Sequence, residues 1–518
     1  MHIPFSLAST QPLRQAACAL ALLASAAQAP AQNALQRSVH DIDYTLTMQG
    51  AAASGDVPLW LTANRYGLSS VDNYGLVRAS LLRSTAADSA RRWRIGYGLD
   101  VAAGVGMQAK AVVQQLYADV EYRRLRLTVG SKQEPLQLKH HALSSGSQTL
   151  GINARPVPGI RLSVPEYLSI TGRSNWAAIK GHISYGMMTD YKFQQDYYTE
   201  PGGRAAQRAL LHTKAGYLRI GNEKKFPLTF EGGLEMACQF GGTIYNAEGF
   251  GEIVPRLKMK HGLGAFVDAL LGTGSDATDG EGYANAAGNT LGSWLLRLNY
   301  KAGDWRISAY YDHFFEDHSM MFGEYGWRDG MYGMELQLPH NPVADAVVYE
   351  FMNTTYQSGP VYHDHTEAIP DQISGRDNYY HHNLYLGWQH AGQAMGNPLF
   401  ISPLYDHTSP LYNHTKSLTF ASTRFKAHHV GVSGTPVPAL AYRLLYTHER
   451  SLGTYNAPYL TQRRTHSLLC EVNVTPERFR GVKAKGWQVG AAFAMDHGTL
   501  LGNNTGFEVK VAYHLHSK

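Results

Sequence analysis

The stretch Ser293–Asp312, SWLLRLNYKAGDWRISAYYD, alternates apolar and polar residues on both sides of a short turn. The apolar positions are Trp294, Leu296, Leu298 and Tyr300 in the first half and Trp305, Ile307, Ala309 and Tyr311 in the second. A period of two indicates β-strands with one apolar face, and a turn centred on Gly303 joins them. Each apolar stripe begins and ends in an aromatic ring, which is typical of a membrane-spanning hairpin. A hairpin of a soluble β-sandwich alternates too, so the remaining strands decide between the two.

Strand length favours a membrane barrel over a sandwich. Leu228–Phe240 alternates over thirteen positions, whereas sandwich strands average about 5–6 residues and tilted transmembrane strands need about 9–11. Similar patterns recur at Trp93–Val101, Leu116–Tyr122, Leu125–Val129, Trp176–Asp190, Leu211–Ile220, Ala346–Thr354, Leu384–Trp388, Arg443–Glu449, Leu468–Val474, Trp487–Ala494 and Phe507–Leu515. At roughly 27 residues per strand and connection, the chain predicts an all-β, antiparallel outer-membrane β-barrel of about 16–18 strands.

Composition agrees with a barrel and excludes other classes. Charged residues make up 17% of the chain, against about 25% in soluble proteins. The mean hydropathy of −0.29 excludes a bundle of transmembrane helices, but not a barrel, in which every second strand residue faces lipid. The net charge is +5 and no basic run stands out, so we expect no nucleic-acid partner.

The N-terminal residues 1–31 have the features of a cleaved secretory signal peptide. Arg14 supplies a positive charge, Ala16–Ala27 is an apolar core, and Ala27-Gln28-Ala29 is a small-residue cleavage site. We therefore predict export to the cell outer membrane.

The exported residues 32–518 are expected to form a single barrel domain. Within it, 56–90 is the least strand-like stretch, and Val57–Tyr66 and Leu76–Leu82 are short amphipathic pieces that predict a small helical or plug element. Cys238 and Cys470 both fall on apolar stripes and are expected to be isolated thiols facing lipid.

Several short motifs resemble the Wzi-type capsule assembly proteins, in particular the versions in Bacteroides-like bacteria. They are NARPVPG at 153–159, LHTK at 211–214, YLRIG at 217–221, FEDHS at 315–319, DGMYG at 329–333, YEF at 349–351, QSGP at 357–360, DNYYH at 377–381 and GNP at 396–398. The resemblance spans residues 40–515. It implies a barrel of about eighteen strands with a small N-terminal helical element, which holds capsular or related surface polysaccharide.

Polar and aromatic residues in the predicted loops and lumen are the candidate glycan-binding site. They are Asp312, Glu316, Asp317, His318, Trp327, Asp329, Tyr332, Tyr379, Tyr380, His381, Trp388 and His390. No metal-binding spacing such as HExxH is present, and the adjacent acids Glu316 and Asp317 point to opposite faces of a strand, which makes a poor acid–base pair. We therefore expect no catalytic residues, metal or cofactor.

Three functions remain open from the sequence. The first is a non-enzymatic, monomeric barrel that binds surface polysaccharide and contacts outer-membrane lipid. The second is a porin or solute channel, because a barrel of this size can hold water. The third is a barrel enzyme acting on lipid or glycan through Asp317 or His318.

Overall fold

Eighteen antiparallel strands close into one barrel. The computed structural model describes residues 40–197, 203–249, 252–272, 288–316, 321–322, 327–359, 376–382, 384–402, 404–405, 420–479 and 481–517. The predicted signal peptide 1–31 lies outside these residues. Each barrel strand pairs with the next barrel strand along the chain, and the last strand pairs with the first from Ile42–Ser517 to Ser54–Thr505. The predicted fold class and the upper end of the predicted strand number are confirmed.

The barrel strands, numbered in chain order, are β1 (Ile42–Ser54), β2 (Tyr74–Arg83), β3 (Trp93–Val105), β4 (Ala111–Tyr122), β5 (Leu125–Ser131), β6 (Gly159–Ser169), β7 (Ala177–Met187), β8 (Leu210–Ile220), β9 (Leu228–Phe240), β10 (Asn289–Ala302), β11 (Trp305–Glu316), β12 (Gly330–Gln337), β13 (Ala346–Asn353), β14 (Phe425–Val437), β15 (Leu440–Gly453), β16 (Pro458–Val474), β17 (Trp487–Gly498) and β18 (Asn504–Ser517). The helices are α1 (Leu59–Thr62), α2 (Tyr191–Tyr197) and α3 (Leu263–Leu271), with 3₁₀ turns at Thr85–Asp88 and Gly172–Ser174.

Short strands outside the barrel form three small sheets. Ala205–Gln207, Thr243–Gly249 and Glu252–Lys258 make a three-stranded sheet. Gln389–His390 pairs with Gln393–Ala394, and Arg478–Phe479 pairs with Val482–Lys483. No helix among the described residues is both long and apolar enough to cross a membrane.

The lengths of the connections orient the barrel in the membrane. One end has two-residue turns such as Arg123-Arg124 and Gly303-Asp304, while the other end has the long connections 132–158, 241–288 and 354–424. Outer-membrane barrels have short periplasmic turns and long extracellular loops. The short-turn end is therefore periplasmic and the long-loop end extracellular.

The side chains alternate across the wall as the opening hairpin predicts. On β10 and β11, Leu298 and Ile307 are 44% and 41% exposed on the outside, whereas Arg297 and Ser308 are buried on the inside. Trp93, Trp305 and Trp487 are exposed at the periplasmic starts of their strands. Tryptophan at that position anchors a barrel at the membrane interface.

The hydrophobic core lies inside the barrel, where extracellular connections fold inward as a plug. We use plug for residues 55–73, 132–158 and 376–405. Its largest fully buried side chains include Trp60, Tyr379, Tyr380, Tyr385, Trp388 and Phe400. Because these rings pack on one another and on the inner wall, they are shielded from water and lipid alike.

The structure corrects three expectations. Leu76–Leu82, predicted to be helical, belongs to strand β2, and only the single turn α1 is helical in the preceding plug segment. Leu384–Trp388, predicted to be a barrel strand, lies in the plug because its apolar side chains pack into the lumen. Cys238 does lie on the outer face, but α3 covers it and leaves it 2% exposed.

Candidate functional site

A buried ion pair fixes the β5–β6 segment of the plug to the wall. Lys139 Nζ lies 2.7 Å from Asp312 Oδ2, and the two side chains are 1% and 0% exposed. Gln148 donates from Nε2 to the Asp312 carbonyl oxygen at 2.7 Å and to Oδ1 at 3.2 Å. Asp312, predicted to bind glycan, thus holds the plug.

Glu350 of β13, two strands along the wall from Asp312, anchors the same segment. Its carboxylate accepts hydrogen bonds from Ser144 Oγ at 2.6 Å and from the Ser145 amide at 2.8 Å. Tyr310 of β11 donates a third at 2.5 Å. Two inward-facing acids, on strands β11 and β13, therefore hold residues 139–148 against this part of the inner wall.

The first plug segment is held by β15 and β17. The amide of Leu59 donates to Asp496 Oδ2 at 3.0 Å, and Trp60 Nε1 donates to Thr447 Oγ1 at 3.2 Å. Thr62 Oγ1 contacts the hydroxyl of Tyr405 at 2.5 Å, which joins the first plug segment to the third. The plug is therefore one connected body.

The predicted aromatic site residues of the third plug segment are fully buried. Tyr380 stacks on Phe400 with ring centroids 3.9 Å apart, and its amide donates to Glu316 Oε1 at 2.6 Å. Trp388 Nε1 donates to the Thr149 carbonyl oxygen at 2.9 Å. Their burial assigns these rings to packing between plug segments.

Asp329 organises the extracellular side of the plug. Its carboxylate accepts from the amides of Gln357 at 2.7 Å and Tyr356 at 3.0 Å and from the Tyr379 hydroxyl at 3.2 Å. Burial raises the pKa of this carboxyl to about 6. Burial also disfavours the charged form of an imidazole, which is the protonated one, and it therefore lowers the pKa of His381 to about 4.

The remaining predicted site residues are dispersed. His390 is buried, with Nε2 3.1 Å from Thr189 Oγ1. Tyr332 is 47% exposed on the outer wall, where it packs on Tyr311. Trp327 stacks on His313 with centroids 4.6 Å apart outside β11. Asp317 and His318 lie outside the described residues.

A small cavity remains between the plug and the inner wall of β6, β7 and β8. Its volume is about 180 Å³, below the roughly 300–1,000 Å³ of typical drug-sized sites. Its lining includes Tyr66, Glu134, Arg155, Arg161, Tyr217 and Trp388. Charges of both signs beside aromatic rings suit one small polar unit, such as a single sugar ring.

Three arginine–tyrosine pairs lie at the extracellular mouth beside the plug. The guanidinium carbons are 3.6, 4.5 and 4.6 Å from the ring centroids in the pairs Arg424–Tyr455, Arg463–Tyr459 and Arg328–Tyr356. We call these six residues the rim cluster. All three rings are partly exposed, in contrast to Tyr379 and Tyr380.

Hydrogen bonds between connections hold the rim cluster together. Tyr455 donates to the Tyr356 carbonyl oxygen at 2.8 Å, and Tyr459 donates to the Ala421 carbonyl oxygen at 3.0 Å. Arg424 Nε donates to the Thr355 carbonyl oxygen at 3.2 Å. The sequence analysis missed this cluster, although Tyr455 in the short β15–β16 connection and Tyr459 at the start of β16, followed by Arg463, were a usable signal.

Among the described residues, no group of three or more His, Cys, Asp or Glu side chains is placed to hold a metal ion. Several inward-facing acids, among them Asp312, Glu350 and Asp496, are instead paired with the plug. The side chains at the extracellular mouth provide cations, hydroxyl groups and aromatic rings, which are suited to binding a ligand.

No protein-family model and no curated protein matches the chain. Among solved structures it is similar to Wzi of Escherichia coli, described as an outer membrane protein involved in group 1 capsule assembly and a carbohydrate-binding β-barrel. The TM-score is 0.53 at 13% identity, over 93% of this chain and 86% of that chain. OccK5 (OpdH) and OccD3 (OpdP) of Pseudomonas aeruginosa align at TM-scores of 0.43 and 0.42, with 9% and 8% identity, over 92% of this chain and 99% and 91% of theirs. The likeness to Wzi is one of fold, and it supports an outer-membrane location.

Proposed function

We propose that this barrel binds surface polysaccharide at its extracellular mouth and anchors it during capsule assembly. The observation that carries the proposal is the rim cluster, which presents partly exposed rings and guanidinium groups beside a plug. Sugar rings pack their C–H faces on the negative face of an aromatic ring, and arginine pairs with carboxylates in a bidentate manner. The cluster therefore suits an acidic polysaccharide.

Two further points support this reading. The structure with a similar fold is described as a carbohydrate-binding barrel of capsule assembly. The sequence motifs independently resemble that family, and the branch found in Bacteroides-like bacteria stays a prediction. A non-enzymatic role also stays a prediction.

The test combines the cell and the purified barrel. Deleting the gene should leave polymer synthesis intact but shift polysaccharide from the cell surface to the medium. Complementation with Tyr455→Ala plus Tyr459→Ala should fail to restore attachment, and should weaken binding of the isolated acidic capsule at least tenfold, because central aromatic residues dominate binding energy.

The matched control is Tyr300→Ala plus Tyr513→Ala, which removes two rings that are 45% and 37% exposed at the periplasmic end. This variant should attach polymer as the wild type does. Unchanged cell-bound polymer in the deletion strain would refute the anchoring role.

A solute channel is the second candidate, favoured by the charged inner wall on the periplasmic side of the plug. Arg297 of β10 pairs there with Glu335 of β12 at 2.9 Å, and Arg306 of β11 pairs with Glu223 at 2.6 Å. Charged rows of this kind are compatible with a wet lumen. Steady conductance of the full-length barrel in a planar bilayer would favour this candidate.

A further inference from the structure

Four histidines lie directly opposite one another on adjacent strands of the outer wall. The register pairs His428 of β14 with His448 of β15, His448 with His466 of β16, and His466 with His497 of β17. All four project outward, on the faces that carry Val430, Leu444, Cys470 and Phe493 nearer the periplasm. Imidazoles on a lipid-facing wall are unexpected, since polar groups in hydrocarbon are costly.

A row of cations adjoins the histidines on their extracellular side. Lys426 pairs with Arg450 and Arg450 with Arg464 across the same strands. All three side chains are exposed. Arg450 Nε also donates to His448 Nε2 at 2.9 Å, which couples the two rows.

Among the described residues, no carboxylate forms an ion pair with these cations on the outer surface. Glu449 and Asp496, the acids nearest in sequence, are 0% and 2% exposed because they face the lumen. The outward neighbours on β13 are Phe351 and Asn353, which pair with His428 and Lys426. Within the part of the chain that the structure describes, the patch of seven residues therefore carries three positive charges that no carboxylate pairs with.

Strand length places the histidine row at the outer membrane interface. His428, His448, His466 and His497 lie eight to ten positions from the periplasmic strand ends Val437, Leu440, Val474 and Trp487. A tilted strand crosses the hydrocarbon in about 9–11 residues. The histidines thus lie where the hydrocarbon ends, and the cations lie one step farther out, at the depth of lipid headgroups.

Tyrosines at this depth orient two of the imidazoles. Tyr349 and Tyr446 place their hydroxyls 2.9 and 2.8 Å from Nδ1 of His428 and His466. His448 and His466 stack with centroids 4.2 Å apart. The rings form an ordered surface directly beneath the cations.

From this geometry we propose that the outer face of β14–β17 binds the phosphorylated headgroup of an outer-leaflet glycolipid. Lys426, Arg450 and Arg464 pair with the phosphates, and the histidine row donates hydrogen bonds to phosphate or sugar oxygens. The apolar residues closer to the periplasm contact the acyl chains. A lipid fits better than a soluble ligand because the anion site is continuous with the lipid-facing wall.

The test measures binding of diphosphoryl lipid A and its dephosphorylated form to the full-length barrel in detergent micelles. Substituting Lys426→Gln, Arg450→Gln and Arg464→Gln together should weaken binding of the diphosphoryl lipid about a hundredfold. The reason is that each of the three cations contributes a similar share of the binding free energy to an anionic headgroup. Replacing the four histidines with glutamine should weaken it about tenfold. Binding of the dephosphorylated lipid should not change.

The control variant, Lys301→Gln with Lys483→Gln and Lys485→Gln, removes three exposed lysines at the periplasmic end and should bind like the wild type. Equal affinity of the wild type and the triple variant of the cation row would overturn the proposal. So would wild-type binding of inorganic phosphate as tight as that of the lipid, since the site would then recognise free phosphate.

Discussion

At the residue scale, the Lys139–Asp312 pair is the contact on which the β5–β6 plug segment depends. Asp312→Asn leaves a buried ammonium group without its counter-charge, and breaking such a pair costs about 3–5 kcal/mol. We expect the plug segment to detach while the barrel stays closed, so that limited trypsin digestion cleaves within 132–158 of the folded protein. Asp304→Asn, in an exposed periplasmic turn, is the control. Resistance of Asp312→Asn equal to that of the control would contradict this role.

Two adjacent histidines should make the third plug segment sensitive to acid. Burial lowers the pKa of His381 and His382 to about 4, below the value of about 6.5 in an unfolded chain. Their contribution to stability is therefore complete above pH about 6.5 and is lost as the pH falls toward 4. Amide exchange in 376–402, corrected for its intrinsic pH dependence, should rise between pH 6.5 and 4.5.

His381→Gln plus His382→Gln should flatten that response. The pKa of Asp329 is raised to about 6, so its contribution to stability is lost as the pH rises through 6. Its effect on the pH dependence of stability is therefore opposite to that of the two histidines. Asp329→Asn should therefore steepen the acid response. An identical pH response in the wild type and the double-histidine variant would refute the assignment.

At the scale of elements, helix α3 covers the outer face of β9. Ala265 and Ala269 pack on Cys238 and Phe240, so the small side chains let the helix lie close to the wall. We expect a lipid-soluble maleimide to label Cys470, which is partly exposed on the outer face, at least tenfold faster than Cys238. Ala265→Asp plus Ala269→Asp should displace the helix and bring the two rates together, as measured by mass spectrometry.

The alternation of side chains made the wall predictable, but of the plug the sequence predicted only a small helical or plug element within 56–90. Leu384–Trp388 alternates as a strand does, and only its packing in the lumen distinguishes it. Asp312 was predicted as a site residue, and its buried partner Lys139 lies 173 residues away in sequence. No local pattern contains that separation, so the sequence alone could not predict the contact between Asp312 and the plug.

At the scale of the whole molecule, the chain places apolar residues on both sides of its wall. The outer ones meet lipid, and the inner ones meet a plug that the extracellular connections supply. The acids of β11, β13 and β17 bind backbone and side-chain groups of the plug. Polar contacts as well as apolar packing therefore hold the plug in the lumen. This closure is why we place the proposed binding function at the extracellular mouth, where the rim cluster lies.

Removing part of the plug tests whether closure is built into the fold. In a variant whose residues 136–153 are replaced by a short glycine–serine linker, Asp312 and Glu350 lose their partners in the plug, and the inner wall between β10 and β13 becomes wet. The wild type should show little steady conductance in a planar bilayer, and this variant should show stable openings. A second variant shortens helix α3, which packs on the outer face of β9, and should stay closed. High conductance of the wild type would show that the plug leaves an open path, and the solute-channel function would then replace the anchoring one.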